Sequence, residues 1–352
     1  MKLKIFKFFT IIIFSLIIIL FSSSELISEE FALGDETKSY YALDSNNNKI
    51  HFSNIEEIEF KDNSELIIFL GNSQTHGVNK FVRGNSNYVE ILSKKYPNKN
   101  IYAISIPNGS LSEFYMISSY LISNFDIKKV ILPAFFDDTR ESSIRTEIIS
   151  FFDGKNQYNF NDIIKSVPNA NISEVESHVS TQDMSEEYLN NIFEKNSIWK
   201  KRESLRAQVF TFLYKLRNTI FFITPSSKRY KIEDAYNQNI NSLKNLIDLC
   251  ALNDVKLNIY VPPIRSDIEI PYDNLEYSDF KQEIKEMTSF KKDIRYLNFE
   301  KIIPGEFWGM KNSTNLSKNK EYDFMHFNFE AHKILADSLQ FFLNFNHTQD
   351  VF

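Results

Sequence analysis

The sequence is poor in the residues that build disulfides and metal centres. Its 352 residues include one cysteine, two tryptophans and six histidines. The single cysteine, Cys250, excludes an internal disulfide, and its place among apolar residues of a predicted helix indicates a buried, inert thiol. No His-x-His, Cys-x-x-Cys or His-Glu-x-x-His pattern occurs. We therefore expect neither a metal ion nor another cofactor.

Basic charge is also scarce. Lysine and arginine number 40 against 46 acidic residues, for a net charge of −6. Without the three lysines of the first seven residues the balance is 37 against 46, or −9. A nucleic-acid partner would need a basic surface, so we expect none. The 43% hydrophobic content suffices for a large core, in one large domain or two small ones.

The N-terminus has the pattern of a targeting segment. Three lysines precede an uncharged apolar run, Phe8–Phe21, and three serines follow it. This order is typical of an export signal, and the run is shorter than the ~20 residues of a comfortable membrane span. With no clear Ala-x-Ala site, residues 1–24 are either a cleaved signal peptide or a retained membrane anchor. No cysteine follows, which excludes a lipoprotein. We expect an exported, periplasmic or otherwise extracytoplasmic protein.

The remaining chain alternates strands with helices. Residues 25–63 are predicted to be a tether with a possible hairpin, and residues 64–345 the main domain, with a helical insertion at about 141–254. The predicted strands are Leu66–Leu70, Ile101–Ile104, Lys129–Pro133, Lys256–Val261 and Ile294–Phe299. The predicted helices are Asn87–Lys95, Glu113–Ser123, Ser197–Ile223, Ile240–Leu252, Tyr277–Met287 and a last one, capped by Asn328, through about Phe342. This alternation indicates a parallel five-stranded sheet covered on both faces.

Two short segments carry the chemistry of a serine nucleophile. Ser73 directly follows an apolar strand, at the sheet edge where α/β proteins place their sites. Asp323 and His326 stand three residues apart before the last helix. A serine needs an imidazole to take its proton, and the imidazole needs a carboxylate to orient it. The alternatives are a helix cap for Ser73, a surface histidine and a turn aspartate. A metal site of His76, His326 and Asp323 has no supporting motif.

These residues resemble the SGNH/GDSL hydrolase superfamily. Gly71-Asn72-Ser73 resembles its Gly-Asp-Ser block, with asparagine in place of aspartate, and Asp323-x-x-His326 resembles its last block. The resemblance covers roughly residues 64–144 and 255–342. It implies a flavodoxin-like three-layer α/β/α sandwich and a serine esterase or acyltransferase. Exported or membrane-tethered members esterify or de-esterify envelope polysaccharides, so the resemblance implies an acylated carbohydrate, or another acyl ester, as the partner.

The resemblance also implies an oxyanion hole, but one of its three donors does not match the superfamily. It assigns the backbone N–H groups of Ser73 and Gly109. The third donor, an asparagine in the superfamily, falls on Asp137, whose ionised carboxylate has no proton to donate. Either Asp137 is protonated, or it points elsewhere and another donor serves, or catalysis is weakened. Alternatively, Asp137 and Asp138 are ordinary loop acids, or they pair with Arg140 or Arg145. We favour the last interpretation. Side chains expected near the substrate are Asn72, His76 and Asn108.

Two other functions fit parts of the sequence. A non-catalytic glycan-binding or assembly protein on a degenerate hydrolase fold is supported by Asp137. A lipid-facing esterase, or a partner of an acyl carrier, is supported by the predicted helix Ser197–Ile223, which combines an apolar stripe with six basic residues. That helix is either packed on the core with a solvated basic face, a lid over the site, or a surface helix on anionic lipid.

Overall fold

The computed structural model describes nine stretches of the chain, which form two compact units. The stretches are residues 41–43, 49–51, 65–76, 86–106, 108–145, 148, 202–289, 291–317 and 319–344. Residues 202–224, 313–317 and 319 belong to the smaller unit, and all others to the larger unit. The predicted signal or anchor and most of the tether lie outside the described residues, so those predictions stand as predictions.

A seven-stranded sheet forms the centre of the larger unit, in the order β2-β1-β4-β3-β5-β6-β7. Its strands are β1 (Tyr41–Leu43), β2 (Lys49–His51), β3 (Leu66–Gly71), β4 (Asn100–Ser105), β5 (Ile127–Pro133), β6 (Lys256–Val261) and β7 (Ile294–Asn298). The last five are parallel and have the flavodoxin-like order 2-1-3-4-5. The predicted parallel sheet is confirmed. The predicted hairpin adds two antiparallel strands at the β4 edge, an extension that the sequence pattern had not indicated.

Helices cover both faces of this sheet. They are α1 (Ser73–His76), α2 (Tyr88–Lys95), α3 (Leu111–Asn124), α5 (Glu233–Leu252), α6 (Asn274–Thr288) and α7 (Phe329–Asn344). Helices α3, α5 and α6 pack with one face of the sheet in one core, and α2 and α7 pack with the other face in a second core. The α/β fold class is therefore confirmed as a three-layer sandwich.

The local sequence explains where these elements begin. All six residues of β3 are buried, as expected for a central parallel strand covered on both faces. Helix α2 begins after Asn87 and α3 after Ser110, each with a capping box that includes a glutamate three residues later. The Asn328 side chain accepts a hydrogen bond from the N–H of Ala331 at the start of α7, so this predicted cap is confirmed.

Two strands near the C-terminus were not predicted. β8 (Trp308–Lys311) and β9 (Glu321–Phe327) form a separate antiparallel pair. Asp323 and His326, predicted only to precede the last helix, thus lie on a strand. The segment between β8 and β9 lacks a tight-turn signal, which is why no hairpin is predicted there from the sequence.

Helix α4 (Arg202–Ile220) belongs to the smaller unit and confirms the predicted helix. The Asn218 side chain donates to the Thr314 carbonyl at 2.8 Å, and the Thr219 hydroxyl accepts from the N–H of Leu316 at 3.0 Å. The roles as lid or lipid-facing helix stay predictions. No helix in the described stretches has the length and apolar character needed to cross a bilayer.

Candidate active site

Ser73, His326 and Asp323 form one continuous hydrogen-bonded chain, although 253 residues separate the serine from the histidine. Ser73 Oγ lies 2.9 Å from His326 Nε2. On the other side of the ring, His326 Nδ1 lies 3.1 Å from Asp323 Oδ2 and 3.2 Å from Oδ1. These are engaged distances for a nucleophile, a base and the carboxylate that orients the base. The structure therefore brings together the three residues that the sequence singled out.

Asp323 is built to stay ionised although it is almost fully buried, with 1% of its surface exposed. Burial alone would raise the pKa of this carboxyl, but hydrogen bonds from the His326 ring and from the backbone N–H groups of Met325 and His326 outweigh it. They hold the Asp323 pKa well below its ordinary value. Both backbone bonds are 3.0 Å long and end on Oδ1, which fixes the orientation of the carboxylate. A fixed carboxylate in turn fixes the histidine tautomer.

A tight turn at the end of β3 presents Ser73. A Cβ on Gly71 would lie 1.7 Å from Thr75 Oγ1, so only glycine fits there. Asn72 Oδ1 accepts from the N–H of Gln74 at 3.1 Å, which caps the short helix α1 that begins at the serine. The turn thus places the serine hydroxyl, which is partly exposed, at the carboxyl edge of the sheet.

Asn72 was expected near the substrate, but its side chain faces the protein interior. Its Nδ2 donates to Asp138 Oδ1 at 3.2 Å and to Oδ2 at 3.4 Å. Asp138 is buried, and burial raises its pKa well above the ordinary value. An aspartate at position 72, as in the superfamily block, would set two carboxyls against each other. The asparagine supplies a donor instead, and this arrangement supports a positioning role for Asn72 beside the serine.

Gln74 is a site residue that sequence reasoning missed. Its side chain is 3% exposed, and its Nε2 donates to the carbonyls of Pro263 at 2.8 Å and Met325 at 2.6 Å. Pro263 lies beyond the end of β6, and Met325 lies between the acid and the base on β9. One amide therefore ties the serine turn to the strand that carries the histidine. No motif signals such a contact, because it joins residues 251 positions apart.

Asp137 is paired with arginine, and its side chain acts as a hydrogen-bond acceptor. Its carboxylate forms an ion pair with Arg229, lies 3.6 Å from Arg140 Nη1, and accepts from the Tyr272 hydroxyl at 3.0 Å. The expected pairing with Arg140 is confirmed, and Arg229 was not foreseen. Arg145, the other arginine considered, forms an ion pair with Glu113. In these contacts the Asp137 carboxylate accepts hydrogen bonds from Arg229 and Tyr272, so Asp137 as placed does not supply an oxyanion donor.

The Asn108–Gly109 turn lies after β4. The Asn108 side chain is exposed, its φ is 55°, and its carbonyl accepts from Arg145 Nη2 at 2.7 Å. The Gly109 N–H donates to the Ile106 carbonyl at 2.8 Å. A Cβ on Gly109 would lie 2.8 Å from the Phe114 ring, so the turn requires glycine. In this conformation the proposed oxyanion donor of Gly109 is engaged within its own turn.

Two other histidines, His76 and His332, stand close to the site residues in the sequence. The side chain of His76 lies outside the described part of the chain, so its expected substrate contact stays a prediction. His332 is buried between the rings of Tyr88 and Phe327, and burial lowers its pKa to about 3. It is a neutral, packed residue of α7. Within the described stretches, no three His, Cys, Asp or Glu side chains cluster as metal ligands.

Comparisons with known proteins give similar structures and no sequence relatives. No protein-family model matches the chain, and no curated protein has a significant match to it. Among solved structures, an acetyl-xylooligosaccharide esterase from Geobacillus stearothermophilus aligns with a TM-score of 0.38 and 10% identity, over 83% of this chain and 100% of that one. A family two carbohydrate esterase from Clostridium thermocellum aligns with a TM-score of 0.38 and 11% identity, over 82% and 67%. These values are too low to carry an argument, so the fold class rests on the order of the strands and the layers of helices around them.

Proposed function

We propose that this chain is a serine esterase or O-acyltransferase that forms an acyl-enzyme on Ser73. The observation that carries the proposal is the 2.9 Å contact between Ser73 Oγ and His326 Nε2, with Asp323 bound to the opposite ring nitrogen. A serine that merely caps a helix needs no imidazole at its oxygen. An imidazole without a buried carboxylate would lack a fixed tautomer.

The reaction follows from these contacts in two steps. Ser73 Oγ attacks the ester carbonyl while its proton passes to His326 Nε2, and Asp323 stabilises the imidazolium that forms. His326 then returns the proton to the leaving alcohol, and the acyl group remains on the serine. In the second step His326 takes a proton from water, or from a sugar hydroxyl in the transferase, as that oxygen attacks the acyl carbon. The bond from the acyl group to Ser73 Oγ then breaks, and His326 returns the proton to Oγ. Either acceptor regenerates the free enzyme.

Oxyanion stabilisation falls to the backbone in this proposal. The N–H of Ser73 is one donor. The N–H of Gly109 is the second, and it must exchange its bond to the Ile106 carbonyl for one to the substrate. Because Asp137 is ion-paired, the third donor of the superfamily is missing. One donor of this kind is worth about 3–4 kcal/mol, so we expect slower turnover than in an enzyme with a complete hole.

The substrate we propose is an acyl ester, acetyl in the first instance, of a cell-envelope polysaccharide. This choice follows from the resemblance to the SGNH/GDSL superfamily. A non-catalytic glycan-binding protein on the same fold is the alternative, and its main support was Asp137. The engaged serine, histidine and aspartate argue against it, because a decayed site has no need to keep all three contacts.

Acetate release tests the proposal. The chain is incubated with p-nitrophenyl acetate and with acetylated xylan, beside a Ser73→Ala variant of equal thermal stability. We expect acetate from the parent and none above background from the variant, since the variant loses the attacking oxygen and leaves no core cavity. Equal release by both proteins would refute the serine mechanism, and glycan binding by both without any release would favour the non-catalytic alternative.

We also propose that the protein acts outside the cytoplasm, with residues 1–24 as a cleaved signal or a membrane anchor. The support is the order of lysines, apolar run and serines in the sequence. A reporter fused after residue 40 would be active outside the cytoplasm. A reporter active only in the cytoplasm would contradict this.

A further inference from the structure

The acid and the base of the proposed mechanism lie in a bulge of β9. Trp308 of β8 pairs with Phe327 of β9, and Met310 pairs with Tyr322. Between these two pairs β8 has one residue and β9 has four, residues 323–326, which we call the β9 bulge. Bulges re-aim side chains and are common beside active sites. Since the pairing with β8 does not fix these four residues, contacts from other segments must hold them in place.

The backbone of the β9 bulge is tied to the loop that follows β6. The Phe324 carbonyl accepts a hydrogen bond from the N–H of Arg265 at 3.1 Å. Strand β6 pairs with β5, and β5 pairs with β3, which ends just before the serine. This loop therefore connects the bulge to the sheet that presents the nucleophile. Gln74 makes a second link, because it bonds both Pro263 in the same loop and Met325 in the bulge.

The side chain of Arg265 adds contacts to both strands at the bulge, although this arginine is only 7% exposed. Its Nη1 donates to the carbonyl of Gly309, the β8 residue opposite the bulge, at 3.1 Å. Its guanidinium carbon lies 4.4 Å from the centre of the Tyr322 ring, directly before the bulge. Asp267 holds the guanidinium in place, since its Oδ1 accepts from Nε at 2.8 Å and its Oδ2 from Nη2 at 3.0 Å. One buried side chain thus joins β8, β9 and the loop after β6.

This set of contacts requires an arginine. A planar guanidinium bonds both oxygens of one carboxylate and still offers an N–H to a carbonyl and a flat face to a ring, whereas a lysine ammonium has no planar fork. The hydrogen bond from Arg265 lowers the pKa of Asp267, so the ion pair is complete at neutral pH. The internal shape of the bulge is set separately, by the bonds of Asp323 to two backbone N–H groups. Arg265 therefore fixes where the bulge lies and not how it is folded.

We propose that Arg265 is a positioning residue for the reaction at Ser73. It holds the β9 bulge at the place where His326 Nε2 meets Ser73 Oγ, at 2.9 Å. This inference rests on the proposed function, because the position of the bulge matters to a reaction only if the histidine takes the serine proton. A misplacement of about 1 Å at such a contact costs roughly 100-fold in rate. Arg265 acts through the bulge and takes no part in the proton transfer.

The kinetics of two Arg265 variants test this role. Arg265→Met keeps an unbranched stem and removes every side-chain donor. We expect kcat on p-nitrophenyl acetate and the rate of fluorophosphonate labelling to fall together, by about ten- to hundredfold, with KM little changed. Arg265→Lys keeps the charge and should recover part of both rates. The matched control is Lys281→Met, which also takes a cation from a carboxylate and a tyrosine ring, Glu300 at 2.8 Å and Tyr277 at 4.2 Å, but on α6. It should keep the parent's kcat and labelling rate.

The outcomes separate this inference from the proposed function. Ester cleavage that Ser73→Ala retains in full would refute the serine mechanism itself. If cleavage depends on Ser73, and folded Arg265→Met matches Lys281→Met in kcat and labelling rate, only the positioning role is overturned, whether both variants are unchanged or both are slowed. If Arg265→Met is misfolded by circular dichroism, Arg265→Lys replaces it with an intermediate loss expected, and a kcat equal to that of the parent would overturn the role.

Discussion

The substitution Asp323→Asn tests whether the buried carboxylate orients His326, because it changes the hydrogen bond to the histidine while keeping the shape of the side chain. Asparagine has nearly the same shape, and its oxygen can keep both backbone bonds that now end on Oδ1. Its Nδ2 must then occupy the position of Oδ2, 3.1 Å from His326 Nδ1. There it donates a hydrogen bond, so the ring must accept at Nδ1 and carry its proton on Nε2. The base is then protonated on the side that faces Ser73.

The expected loss is large because the wrong tautomer cannot take the serine proton. The corresponding aspartate-to-asparagine change in a serine protease triad lowers kcat about 10⁴-fold with the geometry intact. That factor corresponds to about 5.4 kcal/mol of lost transition-state stabilisation. The variant should remain folded at neutral pH, since the hydrogen bonds to the backbone survive.

The assay is the hydrolysis of p-nitrophenyl acetate, with kcat and KM measured separately and the fold checked by circular dichroism. We expect kcat to fall by about three to four orders of magnitude with KM little changed. A decrease smaller than about tenfold in a folded variant would refute the tautomer argument, and with it the assignment of Asp323 as the orienting acid.

Three further substitutions test the surroundings of the serine. Gln74→Met leaves the Pro263 and Met325 carbonyls without their donor, so it should lower the free energy of unfolding in urea by roughly 2–4 kcal/mol. It should also lower kcat and the rate of fluorophosphonate labelling together, with KM unchanged. Unchanged labelling would contradict the positioning role of Gln74. Asp137→Asn removes the ion pairs of Asp137 and should lower the free energy of unfolding by roughly 1–2 kcal/mol, with little change in kcat. A rise in kcat of about tenfold would instead show that the amide restores an oxyanion donor. Asp138→Asn removes a carboxyl whose pKa is raised in the folded state. The stability that the protonated Asp138 contributes is fully present below its unfolded pKa of about 3.9, and it is lost as the pH rises through the folded pKa. It should therefore stabilise the protein at neutral pH and not near pH 4, and equal effects at both pH values would contradict the assigned pKa direction.

Much of the fold was predictable because its signals are local. The five parallel strands are short apolar runs, and their predicted bounds differ from the observed ones by at most two residues. Helix α3 begins two residues earlier than predicted, at the buried Leu111. Helix α5 begins seven residues earlier, because Glu233–Asn239 is mostly polar in sequence although several of its side chains are buried. β8 and β9 escaped prediction because a pair of short strands without a tight turn leaves no periodic pattern.

The site was predictable only where a short motif marks it. Ser73, Asp323 and His326 stand in such motifs, and the structure brings them together. Gln74 and Arg229 contact their partners across long sequence separations, which no spacing rule can detect. The partner of Asp137 illustrates the difference, because the near neighbour Arg140 was foreseen and the distant Arg229 was not.

The most direct test of the central claim is to trap the acyl group on Ser73. The chain is reacted with a fluorophosphonate probe or quenched during turnover of p-nitrophenyl acetate, digested, and mapped by mass spectrometry. We predict a single adduct on the peptide that contains Ser73, absent from Ser73→Ala and formed far more slowly in a His326→Ala variant. An adduct on another residue, an adduct that persists in Ser73→Ala, or ester cleavage without any adduct would contradict the serine mechanism.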